Sequence, residues 1–278
     1  MREINRRTER YRNRQSTIER REMGEVFYNR KPEPNTRNYQ QMMENVIKEW
    51  HNDGEKNGRK PRLLLHSCCA PCSSAVLDHI SAFFDITLFY YNPNISTKAE
   101  FDHRASELKR LVHEMGLDQE RVDADGIHHA PISVLVPVYD HKEFLEITKG
   151  HEKDPERGER CHLCYRQRLE KTADVMDQVR ADHLYDGIPM EAFDYFCTTL
   201  TISPMKSSEV LNRIGEEIAG EHQEAFLPSD FKKKGGYQHS IALSREYRLY
   251  RQDFCGCEYS KAQAERERRM RAEKEEKQ

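Results

Sequence analysis

Long apolar runs are absent from this 278-residue chain, and none approaches the roughly 18 residues that a membrane-spanning helix needs. The first residues carry arginines with no apolar segment behind them, so no secretory leader and no membrane partner are expected, and the expected location is the cytoplasm. No charge dominates either. Lys and Arg number 45 against 48 Asp and Glu, a formal net charge of −3, so no global field selects nucleic acid and an anion-binding surface must be a local patch. Two phosphate-cradling signatures are missing, Gly-x-Gly-x-x-Gly after a strand and Gly-x-x-x-x-Gly-Lys-Ser/Thr, which leaves nicotinamide or nucleotide-phosphate chemistry without support. With 36% hydrophobic residues the chain suffices for one substantial domain with appendages, not for two large cores.

What the chain does have is cysteine, in clusters. Seven of its eight cysteines fall in three groups: Cys68, Cys69 and Cys72; Cys161 and Cys164; Cys255 and Cys257. In a reducing compartment such clusters argue for metal binding or redox chemistry rather than structural disulfides. The eighth, Cys197, lies in an apolar run and reads as a buried core residue.

The order of periodic segments gives the fold class. Residues 1–38 alternate Arg, Glu, Asn and Gln with few apolar anchors and read as a flexible basic arm. Met42, Met43, Val46, Ile47 and Trp50 recur at helical spacing. Strands are expected at 63–65, 85–91, 131–139, 195–202 and 224–227, with helices after the first cysteines, at 100–115, 142–150, beyond Cys161, at 207–219 and at 240–246. Such alternation implies an α/β fold, an open and mostly parallel sheet of about five strands with flanking helices and right-handed crossovers, in one domain spanning 39–260 with a C-terminal helical and loop extension. Residues 261–278 are charged and almost without apolar side chains, a solvated helix or a disordered tail.

The first cysteines occupy a strand-to-helix turn, the place where open α/β sheets put their ligands. Adjacent Cys68 and Cys69 diverge along any regular element and converge only in a turn, and the helix that starts near Pro71 aims its N–H groups at the thiolates. Cys161 and Cys164 also stand at a helix start, three residues apart on one face. Two such corners supply four thiolates, the complement of an iron–sulfur cluster or of a structural zinc, and the spacing alone leaves both open. Cys255-Gly-Cys257 closes a small disulfide ring only with a bent backbone, which marks a labile redox couple; a further metal-ligand pair is the alternative. His66 is either a ligand or proton donor or a hydrogen-bonded strand-end residue, and His151 and His162 read as surface residues. For RNA, Lys232, Lys233 and Lys234 beside two glycines and Tyr237, with Arg245, Arg248 and Arg251, offer phosphate contacts; a solvated basic loop is the alternative.

Five motifs in order, His66-Ser-Cys-Cys-Ala-Pro-Cys72, Glu159-Arg-Cys-His-Leu-Cys-Tyr-Arg166, Thr198-Thr-Leu-Thr-Ile-Ser-Pro204, Asp230-Phe-Lys-Lys-Lys-Gly-Gly236 and Tyr250-Arg-Gln-Asp-Phe-Cys-Gly-Cys257, closely resemble those of the cobalamin-independent epoxyqueuosine reductases over about residues 39–260. The resemblance implies a fold similar to the adenine-nucleotide-hydrolase-like (HUP) fold, and reduction of the epoxide on a modified base at the tRNA wobble position. It implies Cys68, Cys69, Cys161 and Cys164 as [4Fe–4S] ligands, Cys255 and Cys257 as a redox-active disulfide, and a second iron, for which Cys72 is the candidate ligand. Its partners would be tRNA carrying epoxyqueuosine in the anticodon loop and an external electron donor, ferredoxin- or flavodoxin-like in class. The contrasting reading is a zinc-stabilised RNA-binding module without redox activity.

Overall fold

A computed structural model describes residues 37–275 apart from residues 58, 123–125 and 127. All but the last two residues of the expected N-terminal arm lie outside the described residues, as do 276–278 of the tail. In chain order the elements are α1 (Tyr39–Asn57), β1 (Arg62–His66), α2 (Ala70–Ile80), β2 (Asp85–Phe89), α3 (Lys98–Glu114), β3 (Arg121–Val122), β4 (His128–His129), β5 (Ser133–Leu135) and α4 (Lys142–Ile147). They continue with α5 (Glu159–Asp182), β6 (Leu184–Tyr185), β7 (Ile188–Pro189), β8 (Tyr195–Thr198), α6 (Ser208–His222), α7 (Gly236–Glu246) and α8 (Glu258–Glu275).

The main sheet has four strands in the order β5-β2-β1-β8, all parallel. β1 is central, and its Leu63, Leu64 and Leu65 are fully buried, the continuous apolar run of a strand covered on both faces. Alternate residues serve opposite layers. Leu63 and Leu65 pack with Val76, Ile80, Leu108 and Leu243 of α2, α3 and α7, whereas Leu64 packs with Leu169 and Met176 of α5 and Leu211 and Ile218 of α6. Thr97 accepts the Glu100 N–H to start α3, and Ser207 accepts the Val210 N–H to start α6, both at 3.3 Å. The chain leaves β1 toward β2 on one side and reaches β8 on the other, so the crevice between the carboxyl ends of β1 and β8 is the topological switch point.

Several boundaries differ from the sequence expectations for local reasons. The strand expected over 195–202 stops at Thr198, whose hydroxyl takes the Leu200 N–H at 3.1 Å and turns 199–202 into a 3-10 helix. The fifth strand expected at 224–227 is a single parallel bridge from Phe226 to Phe196. The strand expected at 131–139 is three residues long, and the two short hairpins, β3–β4 and β6–β7, were not expected. Residues 258–275 take the helical alternative. α7 begins at Gly236, earlier than expected, because a Cβ there would lie 2.0 Å from the Phe231 carbonyl oxygen and only glycine allows that approach.

Gly215 of α6 is fixed by packing. An added Cβ would fall 2.5 Å from carbons of the Phe226 ring. Helix propensity alone favours alanine there by about 1 kcal/mol. Overpacking opposes it by about 1–3 kcal/mol, so Gly215→Ala is expected to lower the urea unfolding midpoint with no change in slope.

Candidate active site: three cysteine clusters at the carboxyl edge

The turn after β1 is held from three sides. The Ser67 N–H donates to Phe89 O at 2.9 Å, the Asn92 side-chain amide donates to Ser67 O at 2.9 Å, and the Cys68 N–H meets the Thr199 hydroxyl at 3.3 Å across the switch point. Cys69 is extended and caps α2. Cys72 lies one helical turn on, and Cys68 Sγ is 3.8 Å from Cys69 Sγ, so the three sulfurs lie within 4.8 Å of one another. The thiols of Cys68 and Cys72 hold Cys69 well below the usual thiol range, helped by the Cys72 N–H and the Gln252 amide, while the same contacts push Cys72 up. Of the three thiols, Cys69 is thus the one the surroundings favour for ionisation.

His66, directly before this turn, is fully buried. Its Nε2–H donates to Tyr91 O at 3.1 Å and its Nδ1 accepts from the Thr198 hydroxyl at 2.9 Å. Burial, followed by the nearby Arg168 charge, pushes it down to about 3, so it is a neutral ring that ties β1 to β8, the hydrogen-bonded alternative of the two expected.

The second and third clusters share a small cavity. Cys161 and Cys164 occupy the first turns of α5, and the Arg157 N–H points at Cys161 Sγ at 3.3 Å. Burial pushes Cys164 up to about 12. Cys255 and Cys257 flank Gly256, whose φ of +134° only glycine adopts readily. Both carbonyls of this bend are tied down, Cys255 O by Arg104 Nη1 at 3.1 Å and Gly256 O by the Ser96 N–H at 3.0 Å. Cys257 Sγ accepts the Ser260 N–H at 3.4 Å, one turn into α8. All four of these cysteines line a cavity of about 20 Å³ with Phe144, Tyr165 and Arg168, room for one water. All eight thiols are free in this structure.

Arg168 joins the clusters. It follows Cys164 by one turn, is 1% exposed, and donates from Nε to Cys164 O at 3.1 Å and from Nη1 to Asn92 Oδ1 at 3.4 Å; its Nη2 has no partner among the described residues. Burial opposes its charge, but Cys164, Cys255 and Cys68 outweigh that and raise its pKa. Arg104 is similar: buried, paired with Glu100 at 2.7 Å, carrying an unpartnered Nη2 and drawn to Cys69. Sequence reasoning passed over both. The spacing Cys164 to Arg168, one helical turn, was a legible signal for the first; Arg104 had none.

The basic stretch is partly internal. Lys232 gives its ammonium to Asp230 and to Thr201 O, at 3.0 and 2.9 Å, and Lys234 pairs with Glu44. Lys233, Arg245, Arg248 and Arg251 are exposed, with Arg251 donating to the Ser244 hydroxyl at 3.0 Å. Cys197 is buried, as expected. His151 is half-buried against Asp154 at 3.0 Å, not a free surface residue. His162 lines a second, larger cavity of about 160 Å³ with Arg157, Tyr165, Met205 and Lys206. Lys206 escaped the sequence reading altogether, since nothing marks a lysine after Ser203-Pro204.

A family model described as "Epoxyqueuosine reductase QueH" matches residues 63–263. A relative of that name from Streptococcus pyogenes serotype M1 is 34% identical over 239 residues, 86% of this chain and 84% of its own length. Another from Staphylococcus epidermidis is 32% identical over 225 residues, 80% and 84% of the two chains, and one from Histophilus somni is 34% identical over 201 residues, 72% of each. A parallel α/β sheet with a cysteine cluster at its switch point is here the framework of an oxidoreductase. The chain belongs to the epoxyqueuosine reductase QueH family. No described helix is long and apolar enough to cross a membrane.

Thr198→Val removes the hydroxyl that serves both His66 Nδ1 and the Leu200 N–H. Leaving a buried acceptor unsatisfied costs about 1–3 kcal/mol. Urea unfolding is expected to register that loss, with the count of titratable thiols unchanged.

Proposed function

We propose that this chain reduces epoxyqueuosine to queuosine at the tRNA wobble position, removing the epoxide oxygen as water. The observation that carries this reading is that, in a QueH-family chain, three cysteines gather in the turn after β1 and four more, from segments far apart in sequence, line one cavity with the buried Arg168. The donor set fits a [4Fe–4S] cluster. Cys68 and Cys69 of the turn after β1 and Cys161 and Cys164 of α5 would hold it, with Cys72 at hand for an additional iron, and the unpartnered Nη2 groups of Arg168 and Arg104 suit an anionic thiolate set. When bound, the cluster supplies one-electron transfer and an iron supplies an electron-poor site for oxygen.

Electron counting defines the part of Cys255 and Cys257. Converting an epoxide to an alkene and water takes two electrons and two protons, and a dithiol closing to a disulfide releases two of each. Both cysteines line the cavity that Cys161 and Cys164 also line, on a bend whose carbonyls are tied to Arg104 and Ser96. An external donor, ferredoxin- or flavodoxin-like in class, would restore the dithiol. The target base must leave its stack to reach the crevice, which a single-stranded anticodon loop permits at little cost. The exposed Lys233, Lys234, Arg248 and Arg251, with Lys232 behind them, supply phosphate contacts.

Protein purified without oxygen is expected to contain iron and acid-labile sulfide, the sulfide near four per cluster. Zinc without sulfide would overturn the cluster and favour the RNA-binding module. Cys255→Ser and Cys257→Ser enzymes are expected to lose multiple turnover while keeping the cluster absorbance; full retained turnover would remove the dithiol from the mechanism.

A further inference from the structure

The larger cavity neighbours the small cysteine-lined cavity. Tyr165 lines both cavities, and the Arg157 N–H that reaches Cys161 Sγ belongs to a residue on the larger cavity's wall. Its polar lining donates: Arg157, His162, Lys206 and Ser207, with no carboxylate among them. Arg157 is exposed and turns its guanidinium to the Met205 sulfur at 3.0 Å, a weak acceptor. Lys206 is half-buried. Its ammonium has no carboxylate partner among the described residues, and at Cys68, which neighbouring Cys69 raises overall, its charge acts in the lowering direction. A lysine kept for structure is paired, as Lys232 is with Asp230, or solvated. Lys206 has no such pair, and it lines the larger cavity beside Tyr165, the residue common to both cavities.

We propose that this cavity receives the epoxide-bearing group of the substrate and that Lys206 is a catalytic residue, its ammonium donating a hydrogen bond to the epoxide oxygen as the C–O bonds break. The inference rests on the functional reading above and assigns the place of its reacting atoms. At about 160 Å³ the space suits a small oxygen-bearing ring rather than a whole nucleotide. The donors match the acceptor oxygens of such a ring, and Tyr165 is common to this cavity and to the one that Cys255 and Cys257 line. Two electrons and two protons from the Cys255–Cys257 dithiol, which becomes the disulfide, convert the epoxide carbons to an alkene and the oxygen to water. Lys206 stabilises the negative charge that builds on the oxygen between the two C–O cleavages and is itself unchanged.

The test compares holoenzyme carrying Lys206→Gln and Lys206→Arg with wild type, on an anticodon stem-loop bearing epoxyqueuosine. Loss of one charge-stabilising donor is expected to lower kcat about 100-fold in Lys206→Gln with KM nearly constant, and Lys206→Arg is expected to restore part of it. In anaerobic binding without reductant, wild type is expected to favour the epoxide stem-loop over the alkene product, and Lys206→Gln to lose that preference. Met205→Trp, at an exposed position on the cavity wall, is expected to raise KM by filling the space. A Lys206→Gln enzyme within twofold of wild-type kcat overturns the inference, and so does a raised KM with unchanged kcat, which would mean that the cavity holds a part of the RNA away from the reaction. Wild-type enzyme that binds the stem-loop but leaves the epoxide intact overturns the functional reading, and the inference with it.

Discussion

Arg168 is a fully buried cation that forms no ion pair with a carboxylate among the described residues. A guanidinium taken out of water needs compensating hydrogen bonds, and here Nε donates to Cys164 O one turn back on α5 and Nη1 to Asn92 Oδ1 in the loop after β2, while the side chain lines the cavity that Cys255 and Cys257 of the C-terminal bend also line. That demand links three segments otherwise held by separate packing contacts. Burial of the thiols in the same place opposes their ionisation, as the raised Cys164 shows.

The sheet supplies the rigid side of this arrangement. β1 is buried on both faces, and its carboxyl end is fixed to β8 through the neutral His66 ring and the Thr198 and Thr199 hydroxyls. The Cys68–Cys69 turn thus starts from a defined point, and α2 adds Cys72 at one helical turn. Opposite, the Cys255–Gly256–Cys257 bend is tied by its backbone carbonyls to Arg104 and Ser96, which leaves its two side chains free for chemistry. Rigid mounting of the backbone with thiols unbonded to one another suits a site whose sulfurs exchange electrons or hold metal.

The parts of the site that were legible in the sequence are those set by local geometry. Cys161 and Cys164 share a helix face because three residues make nearly one turn. Strand β1 was legible because a strand covered on both faces must be apolar throughout. The carboxyl-edge location followed from the strand-to-helix turn. The basic run 232–234 shows the limit. Three consecutive lysines look alike in sequence, yet Lys232 is bound to Asp230 and to backbone carbonyls, Lys234 to Glu44, and Lys233 faces solvent. The strand expected to continue through 199–202 failed for a related reason, since one hydroxyl of Thr198 caps a 3-10 turn that propensity cannot see.

The sequence by itself determined the alternating α/β order, the positions of the thiol corners and the family to which the chain belongs, because each depends on spacing along the chain. Only the tertiary structure decided that the second and third clusters line one cavity with Arg168, and that Lys206 lines the larger cavity, with Tyr165 common to both. Those facts depend on which strand ends become neighbours, and strand order is set by crossover packing over the whole sheet, for which no local pattern codes.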